Sequence, residues 1–196
     1  KDYNLKSEII FTDTNLNLKE INLKKYIKNF NKKILLGEGK MHLIINKNNK
    51  TQAKFKSTYM LDKKDNPKIL EIDYTKEKGL EKFEIKTDLN SSKIELEQLN
   101  FYKNKNKDLF LDLIIKKNKD IYEINSLKLF NDNNLFKLKN IKFEKNFKIK
   151  DFTKIEAKYY NKKKYFNDIL ISKNKNIINI NSKNYDSSLF IEKILK

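Results

Sequence analysis

The chain contains no cysteine and no arginine, and only one proline, three glycines and one histidine. Without cysteine there are no disulfides, no thiolate zinc sites and no thiol catalysis. That absence leaves the compartment open, since an exported chain can lack cysteine as well. Scarce glycine argues against a compact barrel or sandwich built on tight glycine turns. A lone histidine, His42, has no second imidazole with which to build a metal site. Long apolar runs are also missing: none approaches the ~20 residues needed to span a bilayer. The first residues show no signal-peptide pattern.

What is present is charge and alternation. Charged residues make up 36% and hydrophobic residues 38% of 196 residues, enough apolar material for one domain's core. The formal net charge is +18, and every basic residue except His42 is lysine. Such an excess raises a nucleic-acid or anionic-surface reading. The absence of arginine tempers it, because arginine supplies the bidentate contacts to guanine and phosphate. Lys, Asn and Ile are together what AT-rich codons encode, so base composition accounts for much of the charge. No specific nucleic-acid partner is expected.

Apolar residues recur at period two along most of the chain, the pattern of half-buried strands. Ala53, Phe55 and Tyr59 share a phase, as do Leu70, Ile72 and Tyr74, and then Phe83, Ile85 and Leu89. Ile94 and Leu96 follow, and Leu109, Leu111, Leu113 and Ile115 form the longest clean run. Phe136 and Leu138, Ile141 and Phe143, Ile155 and Tyr159, Ile169 and Ile171, and Ile178 and Ile180 continue the series. Polar patches such as NKNNK (46–50), DKKDNPK (62–68), KNKNKD (103–108), NDNN (131–134) and NKKK (161–164) separate the runs. Asn and Asp serve as turn residues where glycine is scarce. The expected fold is mostly β: an elongated antiparallel meander, each strand pairing with the next, with one or two short helices. The helical candidates are 22–30, with Leu23, Tyr26, Ile27 and Phe30 on one stripe, and the C-terminal stretch after Asp186.

Motifs for chemistry are weak. GEGK (37–40) lacks the spacing of a phosphate loop and runs into the strand-like MHLII, so Gly37 and Gly39 read as a turn or bulge. The carboxylates sit in turns and form no D-x-D-x-D-G metal loop. Asp112 lies in the opposite phase from Leu111 and Leu113 and so faces water. KYYNKKKYF (158–166) interleaves lysine with aromatics and could stack bases; the plainer reading is a strand, a lysine turn and a strand whose aromatics pack. The residues thus point to no catalytic site, no metal and no cofactor.

The succession IYEINSLKL, NLFKLKNIKF, FKIKDFTKIEAKYY and YFNDILISKNKNIINI, closing with INSKNYDSSLFIEKIL, resembles the AsmA-like family of bacterial envelope proteins, in particular its TamB/YhdP branch. Asp186 stands at the family's signature aspartate, and Ser182 stands where glycine is usual. The likeness is best over 109–196 and looser before it. It implies a sheet curled into a groove (β-taco-like), apolar inside and polar outside. It further implies a non-enzymatic role in moving phospholipid between inner and outer membranes. The chain, 1–196, would be a single β-rich segment of a larger protein, periplasmic and tethered to the inner membrane by an anchor outside this segment. Lys1 as first residue fits a fragment or processed product. The expected floor of the groove, in contact with phospholipid acyl chains, is Leu109, Leu111, Leu113, Ile115, Phe136, Leu138, Ile155, Ile169, Ile171, Ile178 and Ile180. The alternatives are a basic nucleic-acid or anionic-surface module, a purely structural scaffold, or a floor that closes on itself as an ordinary core.

Overall fold

The computed structural model describes residues 4–17, 23–30, 33–46, 50–119, 121–143 and 149–186. Strands dominate. They are β1 (Asn4–Phe11), β2 (Thr14–Asn17), β3 (Lys33–Asn46), β4 (Thr51–Met60), β5 (Lys68–Glu77), β6 (Leu80–Asp88), β7 (Ile94–Leu96) and β8 (Phe101–Lys103). They continue as β9 (Phe110–Asn118), β10 (Ile121–Phe130), β11 (Leu135–Phe143), β12 (Ile149–Asp151), β13 (Lys154–Tyr160), β14 (Phe166–Asn174) and β15 (Ile177–Asn184). One 13-stranded antiparallel sheet holds all but β7 and β8, in the order β1-β3-β4-β5-β6-β9-β10-β11-β13-β14-β15, with β2 beside β3 and β12 beside β11. It is an open meander and not a closed barrel. Eleven strands in that path span roughly 48 Å at ~4.8 Å per strand.

Positive φ falls on Asp13, Asn100, Asn106 and Asn140, as expected where glycine is rare, and equally on Lys78, Lys119, Lys164 and Lys175, which the expectation did not include, beside Gly79. Asn131 closes its turn by accepting from the backbone N–H groups of Asn133 and Asn134. Gly37 and Gly39 lie within β3, where the register shifts between Leu36 and Gly39, which is a bulge. Glycine is required at 39 because an added Cβ would lie 2.5 Å from the Phe11 ring.

Three expectations change. The meander is interrupted between β6 and β9, where residues 89–109 leave the sheet. Ile94 and Leu96 form a strand, but it pairs with β8 in a separate hairpin and not with the main sheet. Residues 22–30 are not an α-helix among the described positions. Leu23–Lys25 makes one 3-10 turn, and Ile27 then bridges to Ile94. The physical reason is that this stretch gives its polar groups to the hairpin. Lys28 N donates to Lys93 O, Asn29 Nδ2 donates to Ser91 O, and Asn29 Oδ1 accepts from Lys93 N. The expected C-terminal helix lies outside the described residues. Asp186 itself is described: its N–H donates to Asn167 Oδ1 and its carboxylate accepts from Asn161 Nδ2.

Lys103 shows why the excursion holds its shape. Read as a turn lysine, it is in fact 5% exposed. Its ammonium donates to the carbonyls of Leu89, Asn90, Ser92 and Asn104 at 2.8 to 3.1 Å. Burial pushes its pKa down to about 8, against the pull of Asp88 and Asp108. The backbone already donates to two of these carbonyls, Ser92 N to Leu89 O and Asn106 N to Asn90 O, and the cation adds a second donor there while supplying the donor for Ser92 O and Asn104 O. Lys103→Met removes the donor from Ser92 O and Asn104 O and is expected to cost about 3 kcal/mol in urea denaturation. An unchanged midpoint would show that the ammonium does not staple the loop.

Candidate functional site

Directly opposed residues in antiparallel strands project from the same face. Following the register across the sheet therefore shows what each face carries. The central row of one face runs Ile9, Met41, Phe55, Ile72, Ile85, Leu113, Leu127, Leu138, Ile155, Ile171, Ile180. Eleven strands contribute eleven apolar side chains without a break. The row beside it is also largely apolar, with Leu43, Ala53, Tyr74, Phe83, Ile115 and Ile124 in register. Tyr74 and Phe83 stack with centroids 4.9 Å apart.

The same walk on the other face gives charge. Lys40, Lys56, Glu71, Lys86, Asp112, Lys128, Lys137 and Glu156 stand opposite one another from β3 to β13. Signs alternate from Lys56 to Lys128, and Lys56 pairs with Glu71 at 2.7 Å. That contact holds the Glu71 carboxyl below its usual range. Exposed pairs of this kind contribute little to stability, so their main effect is to keep this face in water. Asp112 lies on this face, as its phase requires. His42 lies there too, exposed, with Nδ1 3.2 Å from Glu8. An open cleft of about 960 Å³ over β1, β3, β4 and β5 is lined by apolar Ile10, Phe11, Phe55 and Ile69 together with Lys40, His42 and Glu71 among others. No group of three or more metal-ligating side chains occurs among the described residues.

All the expected floor residues fall on the apolar face, but they meet three different environments. Leu109, Phe136 and Ile169 are buried in a closed core with Leu89, Ile94, Phe101, Ala157 and Tyr159, and Leu111 and Ile171 pack against it. The hairpin β7–β8 is the cover: Phe101 packs edge-on against Phe136 and Tyr159, with centroids 4.9 and 6.0 Å away. A second cluster, Phe30, Leu36, Tyr59 and Leu61, continues the covered strip over β3 and β4. Leu113, Ile115, Leu138 and Ile155 lie beyond the cover and are half-buried. Ile178 and Ile180 are exposed on the outermost strand, at 53% and 68%.

The apolar face is therefore lidded along one end of its strands and open over the rest. The lid is tied at both sides. Glu95 receives Lys28 at 3.1 Å from one side and Lys162 at 2.5 Å from the other, and the two ammonium groups hold its carboxyl below the ordinary range. Sequence reading missed the lid. The available signal was Ile94, Leu96 and Phe101 crowded into a stretch too short for full-length strands. It also missed Ile9, Met41, Phe55, Ile72, Ile85 and Leu127 as members of the same row.

No protein-family model matches the chain, and neither a curated protein nor a solved structure matches it significantly.

Tyr159 sits where lid and floor meet and is 1% exposed. Burial pushes its phenol up to about 12, with the charges of Tyr185 and Asp186 adding to the shift. An unfolded tyrosine ionises near 10.0. Between these values the unfolded chain holds fewer protons, so stability that is complete below pH 10 is lost as the pH rises towards 12. The loss expected from this group is at most about 3 kcal/mol. Denaturation midpoints across pH 9 to 12 should show the decline, and Tyr159→Phe should flatten it. An equal decline in the variant would place the alkaline sensitivity elsewhere.

Proposed function

We propose that this chain is a non-enzymatic segment of a periplasmic, AsmA-like protein whose apolar face holds phospholipid acyl chains during transfer between membranes. The observation that carries the reading is the unbroken apolar row from Ile9 to Ile180, most of it beyond the reach of the lid. A soluble chain rarely leaves a contiguous apolar surface of more than a few hundred Å² without using it. Each acyl methylene removed from water onto such a floor contributes about 0.8 kcal/mol.

The orientation of the row also suits the role. It runs across the strands and not along them, so acyl chains lying on it meet the same chemistry at every strand. Every position in the central row is apolar and uncharged, which favours movement along it over fixation at one place. The resemblance of 109–196 to the AsmA-like family supplies the direction of the proposal. The outermost strands support a role as one segment: Leu5, Ile9 and Ile10 on β1 and Ile177, Ile178 and Ile180 on β15 are all exposed. Such edges are templates on which further strands could pair.

Native mass spectrometry and lipid extraction of the purified protein test this reading. The wild type is expected to carry phospholipid, or to acquire it from vesicles. Leu113→Asp and Leu138→Asp are expected to reduce the load about tenfold while far-UV circular dichroism is unchanged, and Lys137→Asp on the opposite face to leave it intact. A wild type without lipid before and after exposure to vesicles would overturn the proposal.

A further inference from the structure

Exposed aromatic residues gather at one end of the strands. Phe110, Tyr160, Tyr165, Phe166 and Tyr185, with the aliphatic Ile69, are between 38% and 61% exposed. They stand on β5, β9, the β13–β14 turn and its flanks, and the end of β15, a rim of roughly 34 Å at ~4.8 Å per strand. At the opposite end of the strands, Tyr122 is the one exposed aromatic among the described residues. The asymmetry does not follow from the strand pattern, which would have buried these rings or spread them over both ends.

The β13–β14 turn is built to present such groups. Asn161, 6% exposed, accepts from the backbone N–H groups of Lys163 and Tyr165, and its own N–H donates to Tyr165 O. Asn167, fully buried, donates to Tyr165 O as well. The turn is thus fixed from inside while Lys162, Lys163, Lys164 and Tyr165 face water. It carries three lysines and no carboxylate. Lys162 is tied to Glu95, but Lys163 and Lys164 have no acidic partner among the described residues. Lys63, Lys64 and Lys107, on neighbouring turns of the same end, also have none. Asp62, Asp108 and Asp132 are exposed carboxylates on that end, outnumbered by these five lysines. Tyr160 and Phe166 pack together at 5.3 Å, forming an apolar wedge next to the cations.

Tyrosine and phenylalanine with lysine at exposed tips match the chemistry of a membrane–water interface, where rings sit at headgroup level and ammonium groups meet phosphate. We propose that this rim docks the protein on an anionic phospholipid bilayer, with Tyr160, Tyr165 and Phe166 entering the headgroup layer. Lys163 and Lys164 then contact lipid phosphates. Charge complementarity commits the surface to anionic lipid. The aliphatic Ile69 and the complete lack of arginine favour a bilayer over nucleic acid. The inference stands apart from the acyl-chain reading, since the rim residues lie outside the central apolar row.

Co-sedimentation with vesicles of phosphatidylglycerol and phosphatidylcholine at 0.1 M and 0.5 M salt tests it. The wild type should bind the anionic vesicles, less at high salt, and bind pure phosphatidylcholine weakly. The variant Tyr160→Ser/Tyr165→Ser/Phe166→Ser should lose about tenfold. Lys163→Gln/Lys164→Gln, which removes only exposed cations, should lose about fivefold per lysine. Lys119→Gln/Lys175→Gln, at the opposite end, should bind as wild type does. Binding equal in all variants, no binding to anionic vesicles, or tighter binding to single-stranded DNA at the same salt would each overturn the proposal. Lipid load measured on the same variants separates the two readings: rim variants should keep acyl lipid even as vesicle docking falls.

Discussion

Everything in this structure depends on register. With side chains alternating faces at every residue, a slip of one position in any strand would send its apolar set to the charged side. Across ten strand pairings no such slip survives in the central row. Where a residue is added, a bulge absorbs it, as between Leu36 and Gly39, between Ile124 and Ser126, and between Asp168 and Ile169. The result is a two-sided sheet, one side a lattice of lysines and carboxylates, the other almost free of charge along its midline. That separation places the charges of a +18 chain on one side of the sheet and leaves the other side apolar.

The lid shows what an open sheet requires at its margin. Residues 89–109 fold over the floor and bury Leu109, Phe136 and Ile169, which then act as an ordinary core. This is the portion in which packing supplies stability. Leu113, Leu138 and Ile155 stand four, two and two residues from the buried Leu109, Phe136 and Ala157 and receive no such cover. Covered core and open apolar surface are therefore neighbours on single strands, separated by the reach of one hairpin. A buried ammonium, Lys103, holds that hairpin's base together, a role no turn-forming reading of KNKNKD would assign to it.

Much of the sheet was legible because period two is a local signal. LFLDLII announces its two faces, and Asp112 obeys the phase. What was not legible is non-local. Alternation says that Ile94 and Leu96 form a strand but not which strand they pair with, and they pair with β8 in place of the sheet. The stripe Leu23, Tyr26, Ile27 and Phe30 fits a helix by spacing, yet the Asn29 side chain's bond to Ser91 O and the Lys28 backbone bond to Lys93 O draw the segment into a 3-10 turn and a bridge. Tyr160, Tyr165 and Phe166 looked like packing aromatics. Only the placement of Asn161 and Asn167 beneath the turn shows that they point outward while Tyr159 points in.

The central claim is that one face of the sheet is an open apolar surface that accepts acyl chains. Because the chain has no cysteine, single cysteines can be placed without background. Leu127→Cys, in the middle of the apolar row, and Lys137→Cys, on the charged face, would each carry an environment-sensitive fluorophore. On addition of phospholipid vesicles, the account predicts a blue shift and brightening at position 127 and no change at 137. No response at 127, or equal responses at both positions, would contradict it.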